Sequence, residues 1–148
     1  MKPTRTWVLV ADGRRARFLE NLGPNKGLQS AKDRAMQQAL PSDKELTRDK
    51  SGSNRSSGGD SHGLAPHVDH HEFAKERFAH EVAQVLNMAR KRHEFDRLVL
   101  VAPPQEMGHL RHELDDDTRK MVVGEIKKEL VNAPYDQLCD QVGTVMAV

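Results

Sequence analysis

The chain of 148 residues fits one domain of ordinary size, long enough to bury a core without staples. Hydrophobic residues make up 36% and aromatics 4%, so part of the chain contributes little to that core. The single cysteine, Cys139, excludes an intramolecular disulfide and a cysteine-built zinc site, and the net charge of +1 falls well short of a strong nucleic-acid signature.

That small net charge hides an asymmetry. Residues 1–60 hold 12 Lys and Arg against 7 Asp and Glu, whereas residues 61–148 hold 11 against 15. A basic half can attract nucleic acid or another acidic partner.

In chain order, Thr6–Ala11 (TWVLVA) is a β-branched and aromatic run that predicts a buried strand. Its apolar run is far shorter than a secretion signal, and no later stretch reaches the roughly 20 apolar residues of a membrane span. The expected location is the cytoplasm, with no membrane partner. Asp12-Gly13 supplies turn chemistry, and Arg14 to Glu20 returns as a second strand. Ala16 and Phe18 fall on one face of that strand, Arg15, Arg17 and Leu19 on the other.

Gly23 to Gly27 reads as a loop, and Gln29 to Leu40 has helix-compatible composition. Pro41 to Gly63 contains almost no apolar side chain beyond Leu46, and its serine- and glycine-rich centre cannot offset its own ordering entropy. A single domain over residues 1–148 with a flexible insertion at about 41–63 is therefore expected. Asp69 with Glu72 has capping-box spacing ahead of a long helix, and Phe78, Val82, Val85, Leu86 and Ala89 form its apolar stripe. Arg97 to Ala102 is the next buried strand, stopped by Pro103-Pro104.

Gln105 to Leu114 predicts a short helix with Met107, Leu110 and Leu114 inward, and Asp115 to Lys120 a helical turn. Met121 to Leu130 suits either a strand or a helix, and Pro134 to Val142 reads as a last helix. The strand–helix–strand alternation favours a layered α/β sheet with helices on its faces.

Several residues could carry chemistry. His62, His67, His70 and His71 cluster with Asp69, but their spacing matches no closed metal site. Asp115-Asp116-Asp117 could chelate a hard cation, although acids at a helix start need no metal to explain them. His109 and His112 stand three apart on a short helix, and Asp12 ends the first strand as a turn residue. Cys139 has no activating histidine nearby in sequence and reads as a buried core thiol. No metal, cofactor or catalytic residue is expected. Arg14, Arg15 and Arg17 form a compact basic hairpin tip which, with Lys50 and Arg55, could contact RNA phosphates.

The segments TWVLVADGRRARFLEN (Thr6 to Asn21), FDRLVLVAPPQEMGHLRHEL (Phe95 to Leu114) and VVGEIKKELVNAPYDQL (Val122 to Leu138) resemble the bacterial host attachment protein family. That family in turn looks like the middle domain of archaeo-eukaryotic peptide release factors. The resemblance implies a ribonuclease H-like mixed sheet with packed helices and a long flexible loop. Release factors carry Gly-Gly-Gln at the tip of that loop, and Gly58, Gly59 and Asp60 stand in a comparable place here. A carboxylate there would bring negative charge into an RNA-rich centre, so peptide hydrolysis is not carried over. The expectation is a non-catalytic cytoplasmic binding factor for RNA or the ribosome. The alternatives are a protein-interaction module in host attachment that binds other proteins, and a peptidyl-tRNA or metal-dependent hydrolase.

Overall fold

The computed structural model describes residues 3–37 and 70–148. The order is β1 (Thr6–Ala11), β2 (Arg15–Asn21), β3 (Gln29–Gln37), α1 (His70–Lys91), β4 (Arg97–Val101), α2 (Pro104–Glu113), α3 (Asp116–Arg119), β5 (Val122–Ile126) and α4 (Tyr135–Val142). One mixed sheet joins the five strands in the order β3-β2-β1-β4-β5. The β1–β2 and β2–β3 pairs are antiparallel, and β1–β4 and β4–β5 are parallel.

β1 lies at the centre and is buried along its whole length. Alternation sends Trp7, Leu9 and Ala11 to one face and Val8 and Val10 to the other. The first face meets Phe78, Val82, Ala83 and Leu86 of α1 together with Met107 and Leu110 of α2. The second meets Ile126, Leu130 and Val131 and is closed by Leu138 and Val142 of α4. A parallel pair covered by helices on both faces needs near-continuous apolar strands, as TWVLVA and RLVLV supply.

The helical stripe of α1, the inward residues of α2, the turn at α3 and the last helix all form where their sequence pattern places them. The ambiguous stretch after Met121 forms strand β5, paired to β4 through a register shift between Leu98 and Val99.

Gln29 to Leu40 requires a correction, because Gln29–Gln37 is strand β3 and not a helix. Its residues favour a helix weakly, but a turn with positive φ at Gly23, Asn25 and Gly27 sends the chain back along β2. The open hydrogen-bonding edge of β2 then captures it, a tertiary demand that outweighs propensity. A register shift opposite Arg17 and Leu19 interrupts the alternation, so no period of two is visible in sequence. Asp69, the expected cap of α1, and the loop expected at Pro41 to Gly63 lie outside the described residues.

Two glycines separate packing from propensity. A Cβ added to Gly124 on β5 would approach Val145 Cβ to 2.8 Å, whereas one added to Gly108 on α2 meets nothing within 4 Å. Gly124→Ala is expected to lower stability by about 1–3 kcal/mol through overpacking. Gly108→Ala is expected to raise it by about 0.4–1 kcal/mol through the unfolded chain. Urea midpoints of the two variants check this, and a neutral Gly124→Ala would show that Val145 yields freely.

Candidate functional site at the carboxyl edge of the sheet

The carboxyl ends of β1 and β4 open at one edge, and the β1–β2 turn stands there. Asp12 Oδ1 accepts the backbone N–H groups of Arg14 at 2.8 Å and Arg15 at 2.7 Å, and Asp12 N–H donates to Arg15 O. The carboxylate thus closes its own turn and fixes where the arginines emerge. This is the turn role expected for Asp12. Lys75 of α1 lies against the turn so closely that a Cβ on Gly13 would come within 2.6 Å of Lys75 Cγ. A side chain there would have to displace Lys75.

A groove lies on each side of the turn. One, of about 560 Å³, is lined by Asp12, Gly13, Arg14, Lys75, Gln105, Glu106 and others. Lys75 Nζ stands 3.9 Å from the buried Glu106 carboxylate there, and Glu129 adds a further acid to the lining. The other, of about 630 Å³, runs between the ends of β2 and β3 and the segment 131–135. Arg15, Arg17, Gln37, Asn132 and Tyr135 are its polar walls.

The expected arginine cluster is therefore divided. Arg14 is exposed and faces the first groove, while Arg15 and Arg17 face the second. Arg15 also lies 4.0 Å from the Asp12 carboxylate. Arg17 is half-buried, and its Nη1 donates to the carbonyls of Val131 at 3.0 Å and Ala133 at 2.7 Å. Its guanidinium carbon stands 5.4 Å from the centre of the Tyr135 ring, whose hydroxyl is 3.2 Å from Ser30 Oγ. Tyr135 and Asn132 were not singled out by sequence, because only the return of the chain after β5 brings them to β2.

The chain leaves β3 at Gln37, directly opposite Arg15, and re-enters at α1 beside the same edge. Lys50, Arg55, Gly58, Gly59 and Asp60 fall between these points and lie outside the described residues. So do His62, His67 and Asp69, while His70 and His71 open α1.

Glu72 of α1 accepts a hydrogen bond from Gln105 Nε2 at 2.6 Å and lies 2.9 Å from His109 Nε2. Glu76 stands one turn further along α1, and one donor atom from each of Glu72, Glu76 and His109 falls within 4.8 Å of the others. His112, three residues along α2 from His109, is exposed and takes no part in that group. The spacing of Glu72 and Glu76 is legible in sequence, but the approach of His109 from α2 is not. Cys139, read as a buried core thiol, is instead half-buried, because α4 turns Leu138 and Val142 inward.

The three aspartates after Leu114 begin α3 as helix-start acids. Asp115 Oδ1 accepts the N–H of Thr118 at 2.7 Å, and Arg90 Nη2 stands 3.4 Å from Oδ2. Burial raises the Asp115 carboxyl, but the Thr118 hydrogen bonds and the Arg90 charge outweigh it and hold the group below its ordinary value. A lowered folded value means that this stabilisation is complete above the unfolded value, about 3.9, and is lost as pH falls through the folded one. Asparagine caps a helix as well as aspartate does, so Asp115→Asn removes the charge and keeps the cap. The stability gap between wild type and Asp115→Asn should be constant near neutrality and shrink below about pH 4. Urea titrations at several pH values measure it, and a gap that widens in acid would refute the assignment.

Among the described residues no helix is long and apolar enough to cross a membrane. No curated protein matches the chain. The mixed sheet and its packed helices agree with the release-factor-like α/β fold expected from Thr6 to Asn21 and Phe95 to Leu114. The family model described as bacterial archaeo-eukaryotic release factor family 12 matches residues 5–142, and the chain belongs to that family.

Proposed function

We propose that this protein is a non-catalytic cytoplasmic factor that binds RNA on the ribosome through the carboxyl edge of its sheet. The observation that carries the reading is a juxtaposition. Exposed Arg14 and Arg15 and the stacked Arg17–Tyr135 pair share the edge at which the chain leaves β3 for residues 38–69. Those residues add Lys50 and Arg55. Guanidinium groups suit phosphate through their planar fork, and an exposed tyrosine face suits an unstacked base. Membership of a release-factor family supports the same reading. Asp60, where release factors hold glutamine, supports binding without peptide release.

Sedimentation of the purified protein with bacterial ribosomes, across a series of salt concentrations, tests it. Wild type should co-sediment at low salt and dissociate as salt rises. Charge reversal of Arg14 and Arg15 together should weaken binding at least about tenfold and flatten the salt dependence. Tyr135→Ala should weaken it by about 5- to 100-fold, the range expected for one lost base stack. Wild type remaining at the top of a low-salt gradient would sink the proposal. Partners that survive nuclease and ignore the charge reversal would instead favour the protein-interaction module in host attachment.

A further inference from the structure

We propose that Glu72, Glu76 and His109 form a binding site for a borderline divalent transition metal such as Zn²⁺, joining the first two turns of α1 to α2. The site is independent of the RNA reading.

The geometry begins with helix periodicity. Residues 72 and 76 are four apart on α1, so their carboxylates share one face. His109 arrives on that face from α2, with Nε2 2.9 Å from Glu72 Oε1. One donor atom from each of the three side chains lies within 4.8 Å of the other two. Ligands at about 2.0–2.1 Å in a tetrahedron stand roughly 3.3 Å apart, so side-chain rotations of an ångström or two would close the set on a metal.

The electrostatics point the same way. Two carboxylates at this helical spacing repel each other. Two neighbouring cations of α1 are engaged elsewhere, Lys75 with Glu106 and Arg77 over the ring of Phe73. Glu76 has no hydrogen bond or ion pair among the described residues, although it stands beside a second carboxylate. A bound cation would supply positive charge to the exposed Glu76 carboxylate. Gln105 Nε2 donates to Glu72 Oε1 at 2.6 Å, which holds that carboxylate in its orientation toward His109.

The donor set selects the metal. One imidazole and two carboxylates suit zinc and its first-row neighbours, whereas magnesium and calcium prefer oxygen alone. Three protein ligands leave a fourth position for water. To bind through Nε2, His109 must be neutral with its proton on Nδ1.

The test uses the full chain without an affinity tag, titrated with Zn²⁺ against a chromophoric chelator. Wild type should bind one equivalent and gain thermal stability with added Zn²⁺. Glu76→Gln and His109→Gln should each weaken binding at least about tenfold and lose the Zn²⁺-dependent rise in Tm. Glu76 is exposed and has no partner among the described residues, so Glu76→Gln leaves the fold intact even if His109→Gln does not. Wild-type affinity and stoichiometry in Glu76→Gln would overturn the assignment. Failure of wild type to bind Zn²⁺ would overturn it equally.

Discussion

Burial of β1 on both faces is the constraint from which the rest of the structure follows. Its six residues are covered by α1 and α2 on one side and by the segment after β5 with α4 on the other. A strand so enclosed carries one polar side chain, Thr6 at its first position, and the Thr6 hydroxyl is satisfied by Arg97 Nε at 3.1 Å. Polar chemistry is displaced to its carboxyl end, where Asp12 is the first residue beyond the strand with a charged side chain. Its carboxylate takes two backbone N–H groups that the turn would otherwise leave to water, and this sets the direction of β2. The positions of Arg14, Arg15 and Arg17 are consequences of that turn. Their common edge is inherited from the core.

What could be read in the sequence is what local periodicity controls. The alternation in Thr6 to Ala11, the apolar stripe from Phe78 to Ala89 and the inward positions of Met107, Leu110 and Leu114 each repeat with the period of their element. β3 was not legible because its register shift breaks the alternation and its composition leans toward a helix. β5 satisfied both periods, and only its pairing to β4 decides between them. The site follows the same division. The basic tip is a local feature, whereas its partition between two grooves depends on where residues 131–135 return. The approach of His109 to Glu72 likewise depends on the packing of α2 on α1.

The charge asymmetry between the two halves of the chain takes a different form once folded. Basic residues of the first half are held by contacts that join the halves. Arg17 from the basic half holds the carbonyls of Val131 and Ala133, and Arg5 pairs with Asp96. Within the acidic half, Lys75 meets Glu106, Arg90 meets Asp115 and Arg111 meets Glu125. Exposed pairs of this kind contribute little to stability, but they reduce the field that a distant partner would sense. Arg14 keeps its positive charge facing solvent at the rim of the groove that Asp12, Glu106 and Glu129 also line.

Arg17 connects the stability of this edge to the binding proposed for it. A free surface arginine must surrender its rotamer freedom when it meets a ligand, a cost of about 0.5–1.5 kcal/mol for a long side chain. Two carbonyls already hold Arg17, and that same hold sets its guanidinium over the Tyr135 ring. A planar ligand entering the groove would meet a stacked pair whose geometry exists before it arrives. The hydrogen bonds that bind the 131–135 segment to β2 therefore also preorganise the groove wall. The recognition proposed for this edge would rest on the same two carbonyl contacts as its stability.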